Sequence, residues 1–142
     1  MKKNKVNLQE IARYVMRALL ADGFKIQYYE AFGTNSLYIK LDYGVCNSIR
    51  ISDHEGKGYL SYRYNIRTDI SKYFVKYDRK GLVKLFYPLD KVDGLIHDIN
   101  IAKASKLMQY GGKKYGKYME EARESNKSNK GFWSKSKEID KI

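Results

Sequence analysis

The spacing of apolar residues changes twice along the chain, from helical to alternating and back to helical. Leu8, Ile11, Ala12, Val15 and Leu19 recur at steps of three and four, which predicts an amphipathic helix over 8–21. Asn7 suits the N-cap, and Glu10 stands three residues on, as in a capping box. Gly23 is placed to cap the other end. The apolar stripe is wide, so the helix must pack on another layer, most simply a sheet.

The middle of the chain reads as strands. Phe24 to Tyr29 opens it, and Gly33-Thr34-Asn35-Ser36 is a turn signal. Leu37, Ile39, Leu41 and Tyr43 alternate with Tyr38, Lys40 and Asp42, the mark of a strand with one buried face. After Gly44, Ile49 and Ile51 alternate with Ser48, Arg50 and Ser52. The polar stretch Asp53-His54-Glu55-Gly56-Lys57-Gly58 predicts a hairpin loop. Leu60, Tyr62, Tyr64 and Ile66 then define a core face, with Tyr59, Ser61, Arg63, Asn65 and Arg67 opposite. Residues 73–77 and 82–87 flank Asp78-Arg79-Lys80-Gly81, a second hairpin.

The single proline, Pro88, can open a helix at its first turn. Leu89, Val92, Leu95, Ile96, Ile99, Ala102, Lys103 and Leu107 fall near helical spacing, predicting a helix over 89–110 ended by Gly111-Gly112. A further exposed helix is expected from Lys113 to about Ser125. Residues 126–142 are rich in Lys, Ser, Asn and Gly and read as a flexible basic tail. The expectation is one α+β domain over 1–125, with an N-terminal helix, an antiparallel sheet of about five or six strands, and C-terminal helices followed by the tail.

Charge changes this picture from a generic domain to a binding one. The 142 residues carry 28 Lys plus Arg against 16 Asp plus Glu, a net charge of +12. Such a field attracts phosphate backbones, acidic proteins or anionic membrane surfaces. Tyr supplies 14 residues, each with a flat apolar face and a polar tip suited to interfaces and base stacking. One cysteine, Cys46, rules out a disulfide within a monomer and points to a reducing compartment. Met1-Lys2-Lys3 is followed by Glu10, Arg13 and Arg17 rather than an apolar run, so neither a signal peptide nor a membrane span is expected, and the location is read as cytoplasmic.

Candidate chemistry is sparse. One cysteine and two histidines, His54 and His97, do not form a zinc-ligand pattern, and no metal or other cofactor is expected. Cys46 and His54 could form a thiolate–imidazole pair only if the strands brought them together. Asp42, Asp53, Glu55 and Asp69 lie on or near strand ends, as magnesium-dependent cleavage would need, but no tight carboxylate motif joins them. Neither Gly56-x-Gly58 nor Gly111-Gly112-Lys113-Lys114 completes a phosphate loop.

The strongest constellation is a sheet face. Alternation puts Ser48, Arg50 and Ser52 opposite the isoleucines, and hairpin pairing would bring Arg63 near Arg50. With Lys40, Arg67, Tyr38 and Tyr59 this makes a basic, aromatic face that can hold phosphates and stack bases. The second basic element is C-terminal. From Lys103 to Ile142 there are 11 basic and 5 acidic residues, with Lys113, Lys114 and Lys117 beside Tyr115 and Tyr118. Phe132-Trp133, within that polar stretch, suggests docking, and Trp133 joins the candidate contacts.

The stretch Asn47-Ser48-Ile49-Arg50-Ile51-Ser52-Asp53-His54 resembles a strand end found in small phage and mobile-element proteins of Gram-positive bacteria, including some type II-A anti-CRISPR proteins. The resemblance covers about residues 37–67. It implies a phage-encoded inhibitor of a Cas9-type CRISPR effector, acting in a bacterial cytoplasm. A basic inhibitor of that kind would touch guide RNA or an acidic patch of the ribonucleoprotein through Arg50, Arg63, Arg67 and the C-terminal lysines. Two alternatives stay open: a single-stranded nucleic-acid-binding protein, and a metal-dependent nuclease using Asp53, His54 and Glu55.

Overall fold

The computed structural model describes residues 8–30, 36–52, 59–65, 74–77, 82–128 and 136–141. Helix α1 spans Leu8–Ala21. Leu8, Ala12, Val15, Met16 and Leu19 are its buried stripe. Its end is closed as the sequence predicts: Gly23 takes φ 91°. The Gly23 N–H donates to the Leu20 carbonyl at 3.0 Å and the Phe24 N–H to the Leu19 carbonyl at 3.0 Å. This pair of bonds satisfies carbonyls that a helix end leaves open.

Among the described residues seven antiparallel strands follow: β1 Ile26–Glu30, β2 Ser36–Leu41, β3 Ser48–Ser52, β4 Tyr59–Asn65, β5 Phe74–Tyr77, β6 Leu82–Pro88 and β7 Lys137–Ile139, in the spatial order β5-β6-β4-β3-β2-β1-β7. Between β6 and β7 lie helices α2, Val92–Tyr110, and α3, Gly112–Ser128. The α+β class and the antiparallel arrangement agree with the sequence reading.

Three local features differ from it. Pro88 is the last residue of β6 rather than the opening of a helix, and a 3-10 turn, Leu89–Lys91, precedes α2. Helix α3 runs on to Ser128, and β7 pairs with β1 through Ile26 opposite Ile139, so part of the expected tail 126–142 is built into the domain. β7 pairs with backbone groups on the outer side of β1 that would otherwise form a sheet edge, and Ile139 packs against the core beside it. The third difference is at Asp42, treated below.

One sheet face carries the core. Leu37, Ile39, Leu41, Ile49, Ile51, Ile26 and Tyr87 are buried with the α1 stripe and with Leu95, Ile99 and Ala102 of α2. Polar seams fix the helices over it. The Tyr87 hydroxyl donates to the Asp98 carboxylate at 2.9 Å, Tyr14 to Asp93 at 2.6 Å, and the Asn100 amide to Asp22 at 2.9 Å. Among the described residues no helix is long and apolar enough to cross a membrane.

The space around Gly23 is open, so only its left-handed φ resists a side chain. Gly23→Ala should therefore lower stability by about 1–2 kcal/mol, the cost of a left-handed L-residue, measured by urea denaturation.

Candidate nucleic-acid interface

Strand register builds the face opposite the core. Ser48 stands opposite Lys40 on one side and Arg63 on the other; Arg63 stands opposite Lys84, and Lys84 opposite Lys76. Four basic residues from four strands thus share one cross-strand row. The neighbouring row runs Tyr29, Tyr38, Arg50, Ser61, Phe86, Phe74. In β-structure such directly opposed positions lie about 5 Å apart and belong to one face of the sheet. A basic row beside an aromatic one follows from the register alone.

On this face Tyr29, Tyr38, Lys40, Ser48 and Arg50 are half-buried, while Gln27, Ser36 and Ser52 are buried. Arg50 Cζ lies 5.8 Å from the Tyr38 ring centroid, and the Arg50 guanidinium donates to Ser36 Oγ at 3.2 Å. Its Nε is buried and has no hydrogen-bond partner among the described residues. Tyr29 and Tyr38 rings sit 6.5 Å apart. Lys40 folds its stem over Gly44, where a Cβ would meet Lys40 Cε at 3.0 Å, and burial lowers its pKa from the ordinary lysine value.

Of the predicted site residues, Lys40, Arg50, Arg63 and Tyr59 fall on this face. Arg63 is diagonal to Arg50, which has Ser61 directly opposite, and Tyr59 stands opposite Ser52. Arg67 and Trp133 lie outside the described residues. Lys113, Lys114 and Lys117 are exposed on the first turns of α3 and are not part of the row. Lys76 and Lys84 were missed as site residues. The signal was present in Val83, Leu85 and Tyr87 alternating with Lys84 and Phe86, but the adjacency of β6 to β4 was not.

The link from β2 to β3 holds the polar anchor of the domain. Alternation assigns Asp42 to the polar face and Tyr43 to the core; instead Asp42 is fully buried, because β2 ends at Leu41 and the chain turns. Asp42, Tyr43 and Asn47 adopt φ of 50°, 57° and 67°, and Gly44 of 104°. The Asp42 carboxylate accepts the Lys25 N–H at 2.8 Å and the Tyr115 hydroxyl at 2.5 Å, and pairs with Lys103 Nζ at 3.0 Å. Lys106 Nζ donates to the Val45 carbonyl at 2.6 Å. Burial lowers the Lys106 pKa.

This anchor also bears on the enzymatic alternatives. Asp42 is spent on structure, Cys46 is fully buried beside Tyr115 and Lys106, and Asp53, His54, Glu55 and Asp69 lie outside the described residues. Among the described residues no cluster of His, Cys, Asp or Glu could hold a metal ion. Compared with protein-family models, curated proteins and solved structures, the chain matches none.

Burial first, then donation to Asp42, holds the Tyr115 phenol well above its ordinary value of 10.0. A raised folded pKa gives stability that is complete below the unfolded value and is lost as pH rises above it. Tyr115→Phe should cost about 1–3 kcal/mol at pH 8, the price of an underbonded buried carboxylate. That deficit should shrink above pH 10, where only the wild type still loses this contribution; parallel urea titrations at the two pH values measure it.

Proposed function

We propose that this chain is a non-enzymatic binding protein that takes a single nucleic-acid strand across the sheet face opposite the core and helices α1 and α2. The observation that carries the reading is the cross-strand row Lys40–Ser48–Arg63–Lys84–Lys76 lying beside the aromatic row. Lysine and arginine at strand spacing can follow a phosphate backbone, and tyrosine and phenylalanine beside them offer stacking worth about 1–3 kcal/mol per base. A net charge of +12 would draw such a strand in from a distance.

The narrower form of this proposal rests on the likeness of residues 47–54 to type II-A anti-CRISPR proteins. In that form the strand is the guide RNA of a CRISPR effector ribonucleoprotein, and the protein acts as an inhibitor in a bacterial cytoplasm. Contacts to phosphate would come from Arg50 and Arg63, which the register puts on one face.

Fluorescence anisotropy with labelled single-stranded RNA, single-stranded DNA and duplex, over rising salt, tests the reading. Single strands should bind more tightly than duplex. Arg63→Glu with Lys84→Glu should weaken binding more than about tenfold and reduce the log–log salt slope by about 1.4. Binding to an assembled effector complex but not to bare strands would favour the narrower form. Failure to bind strands and complex alike, or indifference to the double charge reversal, would overturn the proposal.

A further inference from the structure

The last two turns of α2 stand clear of the core. From Ala104 to Tyr110 every position except Lys106 is exposed. The exposed set includes three large apolar side chains, Leu107 at 36%, Met108 at 89% and Tyr110 at 37%. Helix α3 starts beside them, with Lys113, Lys114 and Lys117 all exposed. The Tyr110 and Tyr118 rings meet edge to face, 5.3 Å apart at 86°, and tie the end of α2 to α3. The corner is thus a shaped surface held by its own side chains.

Two features of this corner work against the stability of the isolated chain. The apolar side chains forgo the gain of burial. The three lysines occupy the first two turns of α3, the positive end of the helix dipole, with no acidic residue in the first turn. That is the reverse of the stabilising arrangement. A partner that supplies apolar surface and negative charge together would relieve both.

We propose that the α2–α3 corner is a docking surface for an acidic protein face, one with an apolar groove rimmed by Asp and Glu side chains. Met108 and Leu107 are the anchors, and Lys113, Lys114 and Lys117 pair with the rim. A nucleic-acid strand would satisfy the lysines but leave Met108 in water. A second copy would set these lysines against their own equivalents on a chain of net charge +12. None of its residues belongs to the basic sheet row, so the inference does not depend on strand binding there.

The test uses a labelled amphipathic peptide with leucines on one helical face and glutamates on the other. Controls replace the leucines by serine or the glutamates by lysine. The full chain should bind both controls at least about tenfold more weakly, as expected when a few central anchors dominate an interface. Met108→Asp should weaken the parent peptide by about the same factor, as should Lys113→Glu with Lys114→Glu. Met108→Asp should leave the melting temperature and the affinity for a labelled oligonucleotide unchanged, which separates this surface from the sheet face. Equal affinity for parent and control peptides, no peptide binding, or indifference to Met108→Asp would overturn the proposal. So would phosphatidylglycerol vesicle binding or dimerisation that Met108→Asp abolishes while the peptide remains unbound.

Discussion

A single buried carboxylate joins most of the parts of this molecule. Asp42 has no exposed surface, and an ionised carboxylate out of water costs several kcal/mol unless it is paired and hydrogen-bonded. Its partners come from three places: the backbone of Lys25 just before β1, Lys103 of α2 and Tyr115 of α3. Lys103 is itself packed over Phe24, 4.2 Å from the ring centroid, and donates to the Gly23 carbonyl at 3.3 Å. The end of α1, the start of β1, the end of β2 and both later helices therefore meet at one charge. The left-handed backbone of Asp42 and Tyr43 is sustained by these surroundings, since L-residues adopt it only at a cost.

This anchor also relates the two surfaces to which we assign binding. Lys40, at one end of the basic row, lies two residues before Asp42 in the chain. Lys113, Lys114 and Lys117 flank Tyr115, the buried residue that closes α3 onto Asp42. A partner offering both a strand and an acidic protein face, as a ribonucleoprotein does, would meet both surfaces on one body. The polarity of α3 fits such a division: its lysines lie at the corner, while Arg123 farther along lies 3.5 Å from Glu138 of β7.

Much of this was legible in the sequence wherever the relevant contacts are local. The α1 stripe and Gly23 gave that helix both ends, because helical spacing and a left-handed cap are properties of neighbouring residues. Leu37, Ile39, Ile49 and Ile51 gave the core face of β2 and β3 for the same reason. Asp42 escaped, since alternation carries no sign that the chain will turn or that a tyrosine 73 residues away will donate a hydrogen bond to it. The basic row was half visible: Lys40 and Arg63 lie on β2 and β4, joined through Ser48 of β3, whereas Lys84 and Lys76 enter through the non-consecutive pairing of β4 with β6. Leu107 keeps the helical spacing of the core residues before it, yet its turn of α2 is exposed. Strand β7 went unseen because one isoleucine in a polar run signals nothing until the open edge of β1 is known.

The central claim is that Asp42 and its donors act as one unit binding the sheet to the helices. A double-mutant cycle of Asp42→Asn and Lys103→Met, read by urea denaturation at neutral pH, tests it most directly. The account predicts a coupling energy of about 1–3 kcal/mol, with the double variant losing less than the sum of the two single losses. Additive losses, with a coupling near zero, would contradict it.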